Sequence, residues 1–113
     1  MTTGSTIRSD EVSGTDVYGA GEEKVGQIDH LVIDKKSGRV VYAVMSFGGF
    51  MGFGGNYYAV PWNALPYDTH LDGFRTGITE KDLENAPAYD QNRPFDRDWE
   101  TRIHDHYAVP YYW

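Results

Sequence analysis

The sequence predicts a mainly β domain, a small bent antiparallel barrel with one short helix and a C-terminal amphipathic helix that runs into an aromatic tail. Three observations predict it. Residues 27–33 and 39–46 read as two strands folded back through the polar turn Asp34, Lys35, Lys36, Ser37 and Gly38. The apolar residues are β-branched and aromatic, with four Leu against nine Val, five Ile and nine Tyr, which suits pleated strands better than helix bundles. Glycine and Asp-Gly turn signals recur between short apolar runs.

The elements follow in order. Within residues 11–20, Val12, Val17 and Tyr18 surround Gly14 and run into the Gly19, Gly21 turn signal, which predicts a short strand. In the next strand Ile28, His30 and Val32 are expected on one face, with Asp29, Leu31 and Ile33 on the other. Val25 falls out of step with Ile28 across Gly26, the mark of a bulge. The return strand has Val40, Tyr42 and Val44 on one side and Val41, Ala43 and Met45 on the other. A strand apolar on both faces needs two covers. The barrel interior is one, and the late aromatic segment is the candidate for the other.

Residues 47–56 are mostly glycine and aromatic, a hairpin tip carrying Phe50, Met51 and Phe53, and residues 57–60 resume a strand that Pro61 stops. Tyr67, Leu71, Phe74 and Ile78 flank Asp72-Gly73, a second hairpin. Thr79 opens a brief helix with Asp82 in a capping box, ending before Pro87. A linker then leads to Phe95, Trp99, Ile103 and Tyr107, which recur every four residues on one helical face. Pro110 stops that helix ahead of Tyr111, Tyr112 and Trp113. The organisation is a polar lead over 1–10, one barrel over 11–87 and a helical extension over 88–113. At 113 residues the chain supports a single core.

Composition removes several function classes. With no Cys, disulfides, thiolate nucleophiles, iron–sulfur clusters and cysteine zinc sites all drop out. A formal charge of −7, with the cations scattered, disfavours nucleic acid and anionic lipid. The first ten residues lack a signal-like apolar core and no run of 18 apolar residues occurs, so a cytoplasmic protein without membrane insertion is expected.

Candidate chemistry is sparse. The glycines at 48–55 lack the Lys and Ser/Thr of a phosphate loop, so they read as hairpin flexibility. His104 and His106 are the weak metal candidates, but on a helix they lie about 200° apart, and a solvated helix end is the simpler reading. His30, with Asp29 and Asp34 near it, is a possible proton-active group, against the commoner reading of a hydrogen-bonded histidine at the core or barrel mouth. Asp68 and His70 share a face without any nucleophile in a recognisable elbow. No enzyme and no cofactor is expected. The stripe Phe95, Trp99, Ile103 and Tyr107, with Trp113, is expected to dock on the two-sided strand or on another protomer. Each buried aromatic hides on the order of 150–250 Å², so several would contribute many kcal/mol at roughly 25 cal/mol per Å².

Taken together, strand 28–33, its turn, strand 40–47, the glycine-rich tip and the run Tyr58, Ala59, Val60, Pro61 and Trp62 resemble the PRC-barrel family. The likeness covers residues 10–87 and continues weakly into a tail similar to that of stand-alone bacterial members. It implies the barrel of the photosynthetic reaction centre H subunit and of the ribosome maturation factor C-terminal domain. Residues 1–10 hold no membrane helix of the H-subunit kind, and the maturation factor's N-terminal domain has no counterpart. In both relatives the barrel docks macromolecules rather than catalysing. The resemblance therefore implies a non-catalytic adaptor for protein partners that self-associates, presenting Phe50, Met51, Phe53, Tyr57 and Trp62. The alternative is a ligand, metal or proton-handling module at the barrel rim. An RNA-associated role, inherited only from the ribosomal relative, contends with the negative charge.

Overall fold

The computed structural model describes residues 6–47, 57–87, 89–90, 92 and 95–113. The tip residues Phe50, Met51 and Phe53 lie outside the described residues. A four-residue helix, α1 (Ser9–Val12), precedes β1 (Asp16–Tyr18), so the first extended piece is shorter than expected. Then come β2 (Lys24–Ile33), β3 (Val40–Phe47), β4 (Tyr57–Pro61), a 3₁₀ turn (Trp62–Ala64), β5 (Tyr67–Asp68), β6 (Gly73–Arg75), α2 (Glu80–Glu84) and α3 (Arg97–Tyr107). Among the described residues no helix is long and apolar enough to cross a membrane.

The strands form one six-stranded sheet in the order β4-β3-β2-β1-β6-β5. It is mixed rather than wholly antiparallel, because β1 and β6 run parallel with Val17 opposite Phe74. Among the described residues β4 and β5 are not bonded to each other, so the sheet bends without closing by hydrogen bonds. Its two ends instead meet through side chains, the Trp62 and Phe74 rings lying 5.2 Å apart.

Irregular register explains where the alternation departs from expectation. Against β1, β2 skips Val25, with Val17 opposite Gly26 and Tyr18 opposite Lys24, which is the bulge that the sequence phase slip predicts. Gly26 is needed there because a Cβ would sit 1.8 Å from the Ser46 carbonyl oxygen. Against β3, Ile28 pairs with Met45 and His30 with Val44, leaving Asp29 unopposed. That second bulge moves the alternation by one residue. Ile28 and Leu31 contribute to the inner core, Val32 packs on the outer face, and His30 is exposed, not beside Ile28 in the core or barrel mouth. A third irregularity skips Val41 between the Val32–Tyr42 and Ile33–Val40 pairs, so Val41 joins the outer cluster with Tyr42 and Val44.

Two apolar clusters result. The inner core holds Val12, Val17, Ile28, Ala43, Met45, Phe47, Val60, Leu65, Phe74 and Leu83. Leu83 comes from α2, whose cap is the Thr79–Asp82 box read from the sequence. The outer cluster is Val41, Tyr42, Val44, Ala59, Trp99 and Ile103, so α3 is the second cover of β3. Every residue of 41–47 is buried.

Candidate functional site

The most densely connected polar group lies in the seam between β3 and α3, and it starts from how α3 is positioned. Asp96 caps the helix, its Oδ1 accepting from the Trp99 N–H at 2.8 Å, and Asp98 and Glu100 place negative charge on the first turn, where the helix dipole favours it. The helix ends in a reversal. Ala108 takes the left-handed conformation at φ 56, and the Ala108 and Val109 N–H groups return to the carbonyls of Asp105 and His104. The chain thereby doubles back over its own last turns. Tyr111 and Tyr112 pack against His104, at ring distances of 5.7 and 5.9 Å.

Inside the seam Tyr42 is fully buried and ringed by aromatic edges: Phe95 at 5.6 Å, Trp99 at 6.3 Å, His104 at 5.4 Å and Tyr112 at 6.1 Å. Its hydroxyl donates to Glu100 Oε1 at 2.9 Å and lies 2.8 Å from His104 Nε2. Tyr112 also donates to Glu100 Oε1, Arg97 Nη1 stands 4.0 Å from Oε2, and His104 Nδ1 reaches the Pro110 carbonyl at 2.8 Å. A carbonyl only accepts, so Nδ1 carries a hydrogen. Burial, reinforced by the Glu100 bond, pushes the Tyr42 phenol far above its ordinary range and that of Tyr112 up to about 12. Both phenols are therefore donors at neutral pH. The arrangement locks the tail to the sheet by paired polar groups.

The family model described as PRC-barrel domain matches residues 5–92, more than half of the chain. The chain belongs to the PRC-barrel family. No curated protein matches it significantly. In this PRC barrel the helix α3 and the aromatic end lie beyond the matched residues, so one wall of the seam comes from the family domain and the other from the extension.

The predicted residues fall into three places. Phe95, Trp99, Ile103 and Tyr107 of the PRC barrel all contribute to the seam, Trp99 and Ile103 buried and the other two half-buried. Tyr107 bridges to the inner core, and its buried hydroxyl has no hydrogen-bond partner among the described residues. Tyr57 stands at the exposed start of β4, whereas Trp62 is half-buried against the inner core. Trp113 lies over the surface end of the seam, its ring 5.3 Å from that of His104 and 5.1 Å from that of Tyr112. It stacks on Tyr111 at 4.5 Å and 7°, with the Arg97 guanidinium 4.0 Å from its ring centre.

The histidines separate. His104 is buried, not at a solvated helix end, because the reversal after Ala108 brings the last residues over it. His106 reaches instead to the Asp82 carbonyl of α2. Among the described residues no three His, Asp or Glu side chains converge as metal ligands. His30 sits exposed on the Asp29 bulge, Nδ1 2.7 Å from Asp29 Oδ2 and Nε2 3.3 Å from the Tyr89 hydroxyl. Asp68 accepts from the His70 and Leu71 N–H groups and pairs with Arg75, which makes it a turn anchor. Sequence reasoning missed Tyr42, Glu100 and Tyr112. The available signal was Glu100 four residues before His104 on the apolar face of the helix.

Proposed function

We propose that this PRC barrel is a non-catalytic, cytoplasmic adaptor that binds protein partners and self-associates through its C-terminal aromatic end. One observation carries the reading. Tyr111 and Trp113 remain 45% and 46% exposed although they are stacked on each other and held by Arg97. Aromatic and arginine side chains dominate the energetics of protein interfaces, and a rigid stack loses little conformational entropy when a partner covers it. Exposed Tyr57 on β4 adds a second aromatic contact, following in sequence the glycine-rich segment with Phe50, Met51 and Phe53.

The double substitution Tyr111→Ser and Trp113→Ser tests the reading. Sedimentation velocity measures self-association and crosslinking with mass spectrometry maps partner contacts. Both are expected to weaken at least about tenfold, which corresponds to roughly 1.4 kcal/mol. Unchanged association and unchanged crosslinks in a folded variant would refute the assignment.

A further inference from the structure

A cleft of about 140 Å³ opens where the seam reaches the surface. Pro61, Trp62 and Asn63 come from the end of β4 and its 3₁₀ turn, Tyr111 and Tyr112 from the returning tail, and Arg39 from the start of the β2–β3 return. We propose that this cleft binds a small single-ring aromatic carboxylate, its ring among Trp62, Tyr111 and Tyr112 and its carboxylate on Arg39 and Asn63. The proposal goes beyond the adaptor reading: the two share Tyr111, but the cleft's Arg39, Trp62 and Asn63 lie outside the Tyr111–Trp113 stack, so ligand binding and association are tested by separate variants.

Three observations support that chemistry. The first is size: a cavity of about 150 Å³ admits benzene, whereas drug-sized ligands occupy roughly 300–1,000 Å³. The second is uncompensated charge. Among the described residues, no hydrogen bond or ion pair engages the side chains of Arg39, Asn63, Lys35 or Lys36. The acidic groups close by have neutral donors as their hydrogen-bond partners and make no salt bridge to Arg39. Asp34 Oδ2 accepts from the Ser37 N–H at 3.0 Å, Glu100 accepts from Tyr42 and Tyr112, and Asp105 accepts from the Tyr111 hydroxyl at 2.7 Å. A guanidinium with no carboxylate at salt-bridge distance among the described residues is a local site for an anion from outside, acting against the chain's overall negative charge.

The third is complementarity of the remaining surface. His104 lines the cleft with both ring nitrogens already engaged, by Tyr42 and by the Pro110 carbonyl. Its ring therefore forms one wall of the cleft and leaves neither nitrogen free for a ligand. Val41 and Pro61 extend that wall. The polar contacts are thus left to Arg39 and Asn63, which can meet one carboxylate with a fork of donors and an amide N–H.

Benzoate is the probe, followed by two-dimensional NMR of the ¹⁵N-labelled full chain. Saturable shifts are expected at the Trp62 indole N–H, the Asn63 side-chain amide and the Tyr111 backbone. Benzamide, which keeps the ring and loses the charge, and acetate, which keeps the charge and loses the ring, should each bind at least tenfold more weakly. Arg39→Gln and Asn63→Ala alter exposed side chains, so each variant is expected to keep the wild-type spectrum. R39Q should weaken benzoate at least tenfold and N63A about threefold. Absence of saturable benzoate shifts up to about 10 mM overturns the proposal, that limit being a binding free energy of only about −2.7 kcal/mol. Equal binding of benzoate and benzamide, or an affinity unchanged in R39Q, also overturns it.

Discussion

Replacing Tyr42 with Phe removes one oxygen from the buried seam and leaves the ring contacts in place. Two hydrogen bonds disappear, at 2.9 Å to Glu100 and 2.8 Å to His104, and both partners are at most 5% exposed. A neutral bond contributes about 0.5–1.5 kcal/mol and one to a charged group about 1.5–3, so the loss should be about 2–4 kcal/mol. Tyr107→Phe is the matched control. It deletes the same atom from a phenol whose buried hydroxyl has no partner among the described residues, so stability should stay unchanged or rise by up to about 1 kcal/mol. Urea unfolding, followed by circular dichroism and tryptophan fluorescence at constant m-value, gives both numbers. The seam argument fails if Y42F lies within about 0.5 kcal/mol of wild type, or if Y107F costs as much as Y42F.

Gly26→Ala should destabilise by about 3 kcal/mol or more, since its Cβ would meet the Ser46 carbonyl at 1.8 Å; a urea midpoint close to wild type would contradict this. Asp96→Ala removes the cap of α3 and should cost about 1 kcal/mol, with faster hydrogen exchange at the N–H groups of residues 98–100; unchanged exchange there would count against the cap. Stability should fall at high pH. The folded-state phenol of Tyr112 is raised to about 12 from an ordinary value of 10.0, so its contribution is complete below pH 10 and is lost as the pH climbs towards 12. Tyr42 adds to the same trend because its phenol is raised further. Tyrosinate absorbance near 295 nm, recorded alongside circular dichroism, should show these phenols ionising only as the fold is lost; early ionisation in a folded chain would refute the assignment.

Much of the architecture could be read from residue patterns because the signals were local. The alternation in 40–46 demanded cover on both sides, and the spacing of Phe95, Trp99 and Ile103 supplied an apolar helix face to provide it. The Thr79–Asp82 box and the slip at Gly26 are likewise short-range. The parallel pairing of β1 with β6 was not legible, because it joins residues more than fifty positions apart through two three-residue strands with little pattern of their own. The place of His30 failed for a related reason. The bulge at Asp29 depends on the partner strand's register, so strict alternation put the histidine on the wrong face. His104 was read as solvated because the chain reversal at Ala108 places a non-glycine residue in a conformation that nothing in Tyr107-Ala108-Val109 announces. The cleft needs three separated segments, 39–41, 61–63 and 110–112, and no spacing rule connects them.

The two-sided burial of β3 also sets an order of events during synthesis. Residues 40–47 leave the ribosome long before 97–107, and at roughly 5–20 residues per second that interval lasts several seconds. The inner half of the domain can assemble in this time, but Val41, Val44 and Ala59 still face water, with the Tyr42 hydroxyl unpaired by the seam. A nascent chain at this stage displays a bare apolar strand to whatever is nearby, including a neighbouring copy on the same message. Residues 97–107 thus act as the domain's own chaperone, and a chain cut short before Trp99 would carry that bare strand face for its whole lifetime.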